Sequence, residues 1–225
     1  MMASLDTNII IHLYQSACSN VLFDVFDEIY VSAFIRNIEL NNHGTAILTA
    51  FDKDVSDGKI IIVDDDYLKS IGMLSIYHDN FKEEQILYSP LDLGEVHATA
   101  LARTLGIFAV VTDDIKLYGP HYTLMMTPYS EVIPFAFHEV LMLAYLCGTI
   151  ECEEYINMFD HVNENCRLNW NFSQKIKTTI RRFLEPPNTD HEKKWIEDYC
   201  SKHNTEFKSK MKLLLQTYDM LKTAQ

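Results

Sequence analysis

The sequence predicts an α/β fold, a central parallel sheet followed by a C-terminal helical extension. Two observations carry the sheet. Short β-branched and aromatic runs alternate with helical stretches through residues 1–165, and two of these runs, KIIIV at 59–63 and FAVVT at 108–112, are continuously apolar. Strands covered on both faces read that way, whereas half-exposed strands alternate. The third observation concerns residues 166–225, where strand-like runs stop and helical periodicity takes over. Strands spaced by helices of about 10–15 residues form βαβ units, whose crossovers impose parallel pairing.

Each element has its own local reason. Met2–Asp6 is a short apolar run ending in an acid, and a helical stretch follows from Asn8 to about Ala17. Glu28–Ser32 (EIYVS) is β-branched and aromatic, and Ser32 suits the N-cap of a helix starting at Ala33. Lys59–Val63 is the next strand. Asp92–Leu105 reads as a helix closed by Gly106 at the position after its last turn. Phe108–Thr112 is a buried strand, and Glu131–Cys147 reads as a helix ending at Gly148. Beyond it, Ser173–Leu184 is helical, Pro186-Pro187 is a stop, and Asp190 to about Leu221 is helical with one or two breaks.

Composition bounds what such a chain does. Its 225 residues, 48% hydrophobic, suffice for one ordinary domain with an appendage or for two small ones, and exclude disorder. No apolar run reaches the roughly 18 residues that cross a bilayer, and MMASLDTN lacks the basic start of a signal peptide. Cys18, Cys147, Cys152, Cys166 and Cys200 are scattered without a CxxC pair. That usage fits a reducing, cytoplasmic setting better than a disulfide framework or a zinc site. The formal net charge of −13 argues against a nucleic-acid partner, because phosphate contacts need cationic surface. Its distribution reverses that argument. Residues 1–165 hold 7 basic and 25 acidic residues, a net of −18, whereas residues 166–225 hold 12 and 7, a net of +5. Polarity shifts at the same place, so the expected domains are 1–165 and 166–225, with the boundary near Asn163–Cys166.

Several acids stand where a solvated surface does not explain them. Asp6 ends the first strand and Asp113-Asp114 ends FAVVT, and ligands of open α/β sheets bind beyond the carboxyl ends of strands. At 100° per residue Glu95 shares a face with Leu91, Ala98, Ala102 and Leu105, and Glu39 flanks Ile35, Ile38 and Ala46. Buried carboxylates that converge repel one another unless a cation sits among them, and oxygen-only ligands suit Mg²⁺ or Mn²⁺. Each acid also has a structural use. Asp6 is placed to cap a helix, Asp92 and Glu95 have capping-box spacing, Glu39 suits a helix edge, and Asp113 and Asp114 suit a turn. Their recurrence at matching ends of one βαβ pattern favours a shared site.

At this point the chain resembles a known family. SLDTNIIIHL, IYVSAFIRNIEL and LDLGEVHATALARTLGIFAVVTDD look like the signature blocks of PIN-domain ribonucleases, in order and spacing. The resemblance spans residues 1 to about 160, and the Gly-Glu opening of the third block is similar to a prokaryotic branch of the family. It implies a three-layer α/β/α fold and an acidic site that carries over to Asp6, Glu39, Glu95 and the fourth acid of Thr112-Asp113-Asp114. The family pattern Thr-x-Asp selects Asp114, with Asp113 as the alternate, while Asn8 and Thr112 are polar support. Glu95 departs from the commoner Asp by one methylene, which lengthens its reach to a metal. The implied chemistry is phosphodiester hydrolysis of RNA with one or two Mg²⁺ or Mn²⁺ ions, needing no covalent nucleophile. A toxin held silent by an antitoxin or other regulatory partner, a defence or RNA-processing role, and a homodimer all follow from the resemblance alone. Two rivals stand beside it: a PIN-fold binding module with an incomplete metal site, and a structure-specific DNA nuclease.

Other features weigh less. Asp64-Asp65-Asp66 reads as a solvated turn and helix N-cap, since adjacent residues cannot all face one ion. His97 points about 200° from Glu95 on a helix, so it is expected outward and not as a general base. Cys147 and Cys152 lack zinc partners, the aromatics of Tyr122–Tyr145 read as core, and an aspartyl-phosphate site would need an acid where Asn8 stands. In the basic tail, Lys175, Lys177, Arg181 and Arg182 open a cationic run. They form a solvated helical face, with Ile176, Ile180, Phe183, Trp195, Tyr199 and Leu213–Leu215 inward, or a grip for RNA or an acidic partner.

Overall fold

Five short strands of branched and small apolar residues pair into one all-parallel sheet. They are β1 (Met2–Leu5), β2 (Glu28–Ser32), β3 (Ile60–Val63), β4 (Ala109–Val111) and β5 (Ile133–Phe135), in the order β3-β2-β1-β4-β5. The computed structural model describes residues 1–87, 93–116, 119–126, 132–185 and 190–223. Ala3, Leu5, Val31, Val110, Val111 and Phe135 are almost wholly buried, as a parallel sheet covered on both faces requires.

Helices fill every crossover. α1 (Thr7–Gln15) and α2 (Asn20–Val25) join β1 to β2. A π turn at Ile35–Glu39, a 3₁₀ turn at Leu40–Asn42 and α3 (Thr45–Ser56) lead to β3. α4 (Asp65–Ser70), α5 (Leu74–Leu87) and α6 (Leu93–Leu105) precede β4, and α7 (Pro120–Met126) precedes β5. The chain steps one way across the sheet through β1, β2 and β3, then restarts beside β1 and steps the other way. Right-handed crossovers place two such series on opposite faces. The result is an α/β/α sandwich of three layers, as expected.

The chain divides into two packed units, Met1–Phe137 and His138–Gln225. The second contains the rest of α8 (Phe137–Cys147), then α9 (Cys152–Asn165), α10 (Phe172–Leu184), α11 (Asp190–Lys202) and α12 (Phe207–Thr223). Phe172 is its aromatic hub, with ring centroids 5.9 Å from Tyr155, 5.0 Å from Phe159 and 4.2 Å from Tyr218. Packing thus divides the chain at 137/138, whereas charge changes near 165. The two measure different things: the acidic α9 packs with α12 of the basic segment.

Two expectations need correction. Glu131–Cys147 is not one helix. Ile133–Phe135 forms β5 and only Phe137–Cys147 is helical, while Glu131 lies outside the described residues. Pro134 is the physical reason, since a helix interior rejects it and an edge strand such as β5 tolerates it. Leu213 is 49% exposed rather than inward; Leu214 is the buried member of that trio. Asp92, Leu91 and Pro186-Pro187 lie outside the described residues, so the capping-box and stop readings do too.

Candidate functional site

Strand register builds the site from its centre. β1 and β4 pair with Leu5 opposite Val111, and Asp6 N–H continues the ladder to the Val111 carbonyl at 3.0 Å. The next residues out, Asp6 and Thr112, therefore emerge side by side, where the strand order switches direction. Thr112 donates its hydroxyl to Asp6 Oδ2 at 3.0 Å. Asp6 occupies the N-cap position of α1, yet its side chain makes no capping hydrogen bond. It is 2% exposed, and burial raises its pKa to about 7. Within that net rise the Glu39 charge adds to burial, while the N–H groups of Thr7 and Asn8 and the Thr112 hydroxyl oppose it. A costly buried carboxyl remains at the start of α1.

Glu39 and Glu95 reach the same place from other segments. A pocket of ≈ 250 Å³ is lined by Asp6, Thr7, Asn8, Glu39, Asn42, His43, Gly94 and Glu95. Glu95 stands on the first turn of α6 and is 5% exposed. α6 is buried nearly all round, and Ser4 of β1 donates its hydroxyl to the Ala98 carbonyl at 2.8 Å, which holds the helix against the sheet. Glu39 ends the π turn, where one extra residue per turn re-aims the side chain. Its carboxylate accepts the Thr7 hydroxyl and, at 3.1 Å, the Gly94 N–H. A Cβ at position 94 would collide with that carboxylate, so glycine is what lets it approach. The apolar face expected around Glu39 is narrower than the sequence suggested: Ile35 is buried, but Ile38 is 53% exposed and Ala46 is exposed too.

The acids after β4 do not join this pocket. Asp113 is buried and both its oxygens are committed, Oδ2 to His12 Nδ1 at 2.6 Å and Oδ1 to the Phe137 N–H at 2.7 Å. It anchors a turn. Asp114 accepts from the Lys116 N–H and from Lys116 Nζ, both at 3.1 Å, and does not line the pocket. For Mg²⁺ or Mn²⁺, the donor set fits by chemistry: three carboxylates from three segments, two of them buried, one holding a raised pKa beside another acid. Among the described residues, however, no three His, Cys, Asp or Glu side chains close on one point.

Sequence reasoning missed Thr7, Asn42, His43 and Gly94 as pocket residues. Gly94 was legible only through its neighbour Glu95, and the polar loop NNHG after Glu39 was the available signal for Asn42 and His43. It also misplaced His97, which is half-buried rather than outward. The ring stacks on Phe34 at 4.3 Å and lies 4.6 Å from Phe81, and burial lowers its pKa to about 4. Asp64 does cap α4, accepting the Tyr67 N–H at 2.8 Å.

The basic tail separates by burial. Lys177 and Arg181 are exposed, and Lys175 sits 3.9 Å over the Trp170 ring. Arg182 is no surface grip. It is 4% exposed, binds both oxygens of Glu139 at 2.9 Å, and reaches Glu192 at 2.7 and 3.0 Å. Two carboxylates within reach of an amphipathic helix drew it inward.

No protein-family model, curated protein or solved structure matches the chain. The functional reading rests on its own residues. Among the described residues no helix is long and apolar enough to cross a membrane.

Proposed function

We propose that the chain is a metal-dependent nuclease that hydrolyses RNA phosphodiester bonds, as its resemblance to PIN-domain ribonucleases implies. One observation carries the reading: Asp6, Glu39 and Glu95, from three separate segments, line one pocket at the switch point of the parallel sheet. Two of these acids, Asp6 and Glu95, are buried, as suits a cation-binding or proton-handling role.

Asp6, Glu39 and Glu95 would hold Mg²⁺ or Mn²⁺, which supplies a Lewis acid for the phosphoryl oxygens and an acidified water. The chain's own groups do the rest. Thr112 fixes Asp6, and Thr7 with the Gly94 N–H fixes Glu39, so neither carboxylate must be ordered during the reaction. The Asp6 carboxyl, with a pKa near 7 in the ion-free pocket, accepts or releases a proton close to neutral pH. Asn8, exposed at the pocket, offers its amide to a phosphate oxygen. Lys177 and Arg181 supply the cationic surface that the acidic first region lacks, and so steer the substrate.

The test is cleavage of labelled RNA and single-stranded DNA pools with Mg²⁺, Mn²⁺ or EDTA, comparing the natural chain with Asp6→Asn. Metal-dependent RNA cleavage that falls at least about a hundredfold in Asp6→Asn is expected. Equal, metal-independent signal from both proteins would sink the proposal. Cleavage of DNA alone would move it to the DNA-nuclease reading.

A further inference from the structure

A second pocket, of ≈ 310 Å³, opens at the same end of the sheet, and none of Asp6, Glu39 or Glu95 lines it. Ser32 and Val63, the last residues of β2 and β3, contribute to it together with Phe34, Asp65, Tyr77, His97 and Leu101. The volume is that of a small-ligand site, and the lining is largely apolar with a few polar groups, as such sites are.

Two of the polar groups are bonded to each other: the Tyr77 oxygen lies 2.5 Å from His97 Nδ1. With Tyr77 O–H donating to Nδ1 of the neutral imidazole, the proton of His97 lies on Nε2. No described residue bonds Nε2, and the imidazole stacks on Phe34 and packs against Phe81, so its Nε2 edge is held in place as a donor. Asp65, exposed at the pocket, adds a carboxylate acceptor. The pocket thus pairs one oriented donor and one anionic acceptor with flat and branched apolar walls.

We propose that this pocket binds a nucleobase, specifically guanine, of a single-stranded segment. Guanine presents O6 and N7 as acceptors for Nε2–H, and N1–H beside the N2 amino group as a paired donor for the Asp65 carboxylate. Adenine, cytosine and uracil lack that paired donor. Splayed bases held by aromatic walls and read on their edges are how single strands are recognised. Preferring a nucleobase over other flat heteroaromatic ligands rests on the nuclease reading above. Placement supports it: Glu95 and His97 are two residues apart on α6, so the two pockets flank one helix about 10–12 Å across, and one short strand spans both.

The experiment titrates guanosine, adenosine, cytidine and uridine into the full-length, ¹⁵N-histidine-labelled protein without metal, following the His97 imidazole by NMR. Nucleosides lack phosphate and so leave the acidic pocket out of the readout. Guanosine is expected to shift His97 Nε2 saturably, about tenfold or more tighter than the others, with Asp65→Asn abolishing that preference. Asp65 is exposed, so its replacement spares the fold, and an unchanged thermal melt confirms it. No shift with any nucleoside, equal affinity for all four, or a guanosine preference surviving in Asp65→Asn would each overturn the proposal. The same titration in Asp6→Asn keeps the two readings apart. Guanosine binding without RNA cleavage sinks the nuclease and leaves the pocket; cleavage without guanosine binding sinks the pocket alone.

Discussion

Asp6 concentrates the energetic cost of the site in one carboxyl. Its folded pKa of about 7 lies above the ordinary 3.8, so the folded state holds the proton more tightly than the unfolded chain does. The stabilisation is therefore complete below pH 3.8 and is lost as pH rises through 7. In the ion-free protein, stability measured by chemical denaturation is expected to fall by several kcal/mol between pH 4 and 8, at about 1.4 kcal/mol per unit of pKa shift. In Asp6→Asn that part of the slope should vanish; an identical pH dependence in both proteins would contradict the burial argument. Gly94 is the complementary case. In Gly94→Ala the added methyl meets the end of a flexible side chain, so Glu39 moves rather than the backbone. Cleavage should drop about tenfold or more, as expected when a positioned group shifts by an ångström, while the melting temperature changes little. A large loss of melting temperature would show that the collision is with the fold instead.

At the scale of elements, the legible parts were those whose signal is local. KIIIV and FAVVT are buried strands because nothing but branched and small apolar residues fills them, and Asp6 follows its strand directly. The π turn under Glu39 has no such signature, since the extra residue is set by how the segment joins β2 to α3. β5 was hidden because IPF is short and abuts a long apolar helix, although Pro134 was a visible objection to continuous helix. Arg182 was misread for a related reason: its partner Glu139 is 43 residues away, and no pattern along α10 announces it. That buried triad also yields a prediction. Arg182→Ala leaves Glu139 and Glu192 buried without their cation, which should cost about 3–5 kcal/mol and lower the melting temperature accordingly. A melt within one degree or so of the parent would mean that the triad is solvated.

For the whole molecule, the net charge of −13 is the sum of two populations with different work to do. The acidic population includes the three pocket carboxylates, whose charge a cation would cancel on the proposed reading, and the basic one presents Lys177 and Arg181 outward. Reversing both, Lys177→Glu with Arg181→Glu, is expected to weaken RNA binding and to reduce the salt slope by about 1.4, at 0.7 per phosphate contact on a single strand. An unchanged slope would assign the cationic face to solvent or to an acidic protein. How the chain tolerates change follows from α6 and the alanines behind its acid. Ala98, Ala100 and Ala102 are wholly buried, and Ser4 ties the helix to β1 through the Ala98 carbonyl. A methylene added at any of these buried positions overpacks the interface by about 1–3 kcal/mol, and lifting the helix would relieve it. Lifting it carries Glu95 and His97 away together. The most fragile positions of both pockets therefore include residues that touch no ligand, and a survey of tolerated substitutions should find these alanines as intolerant as the acids.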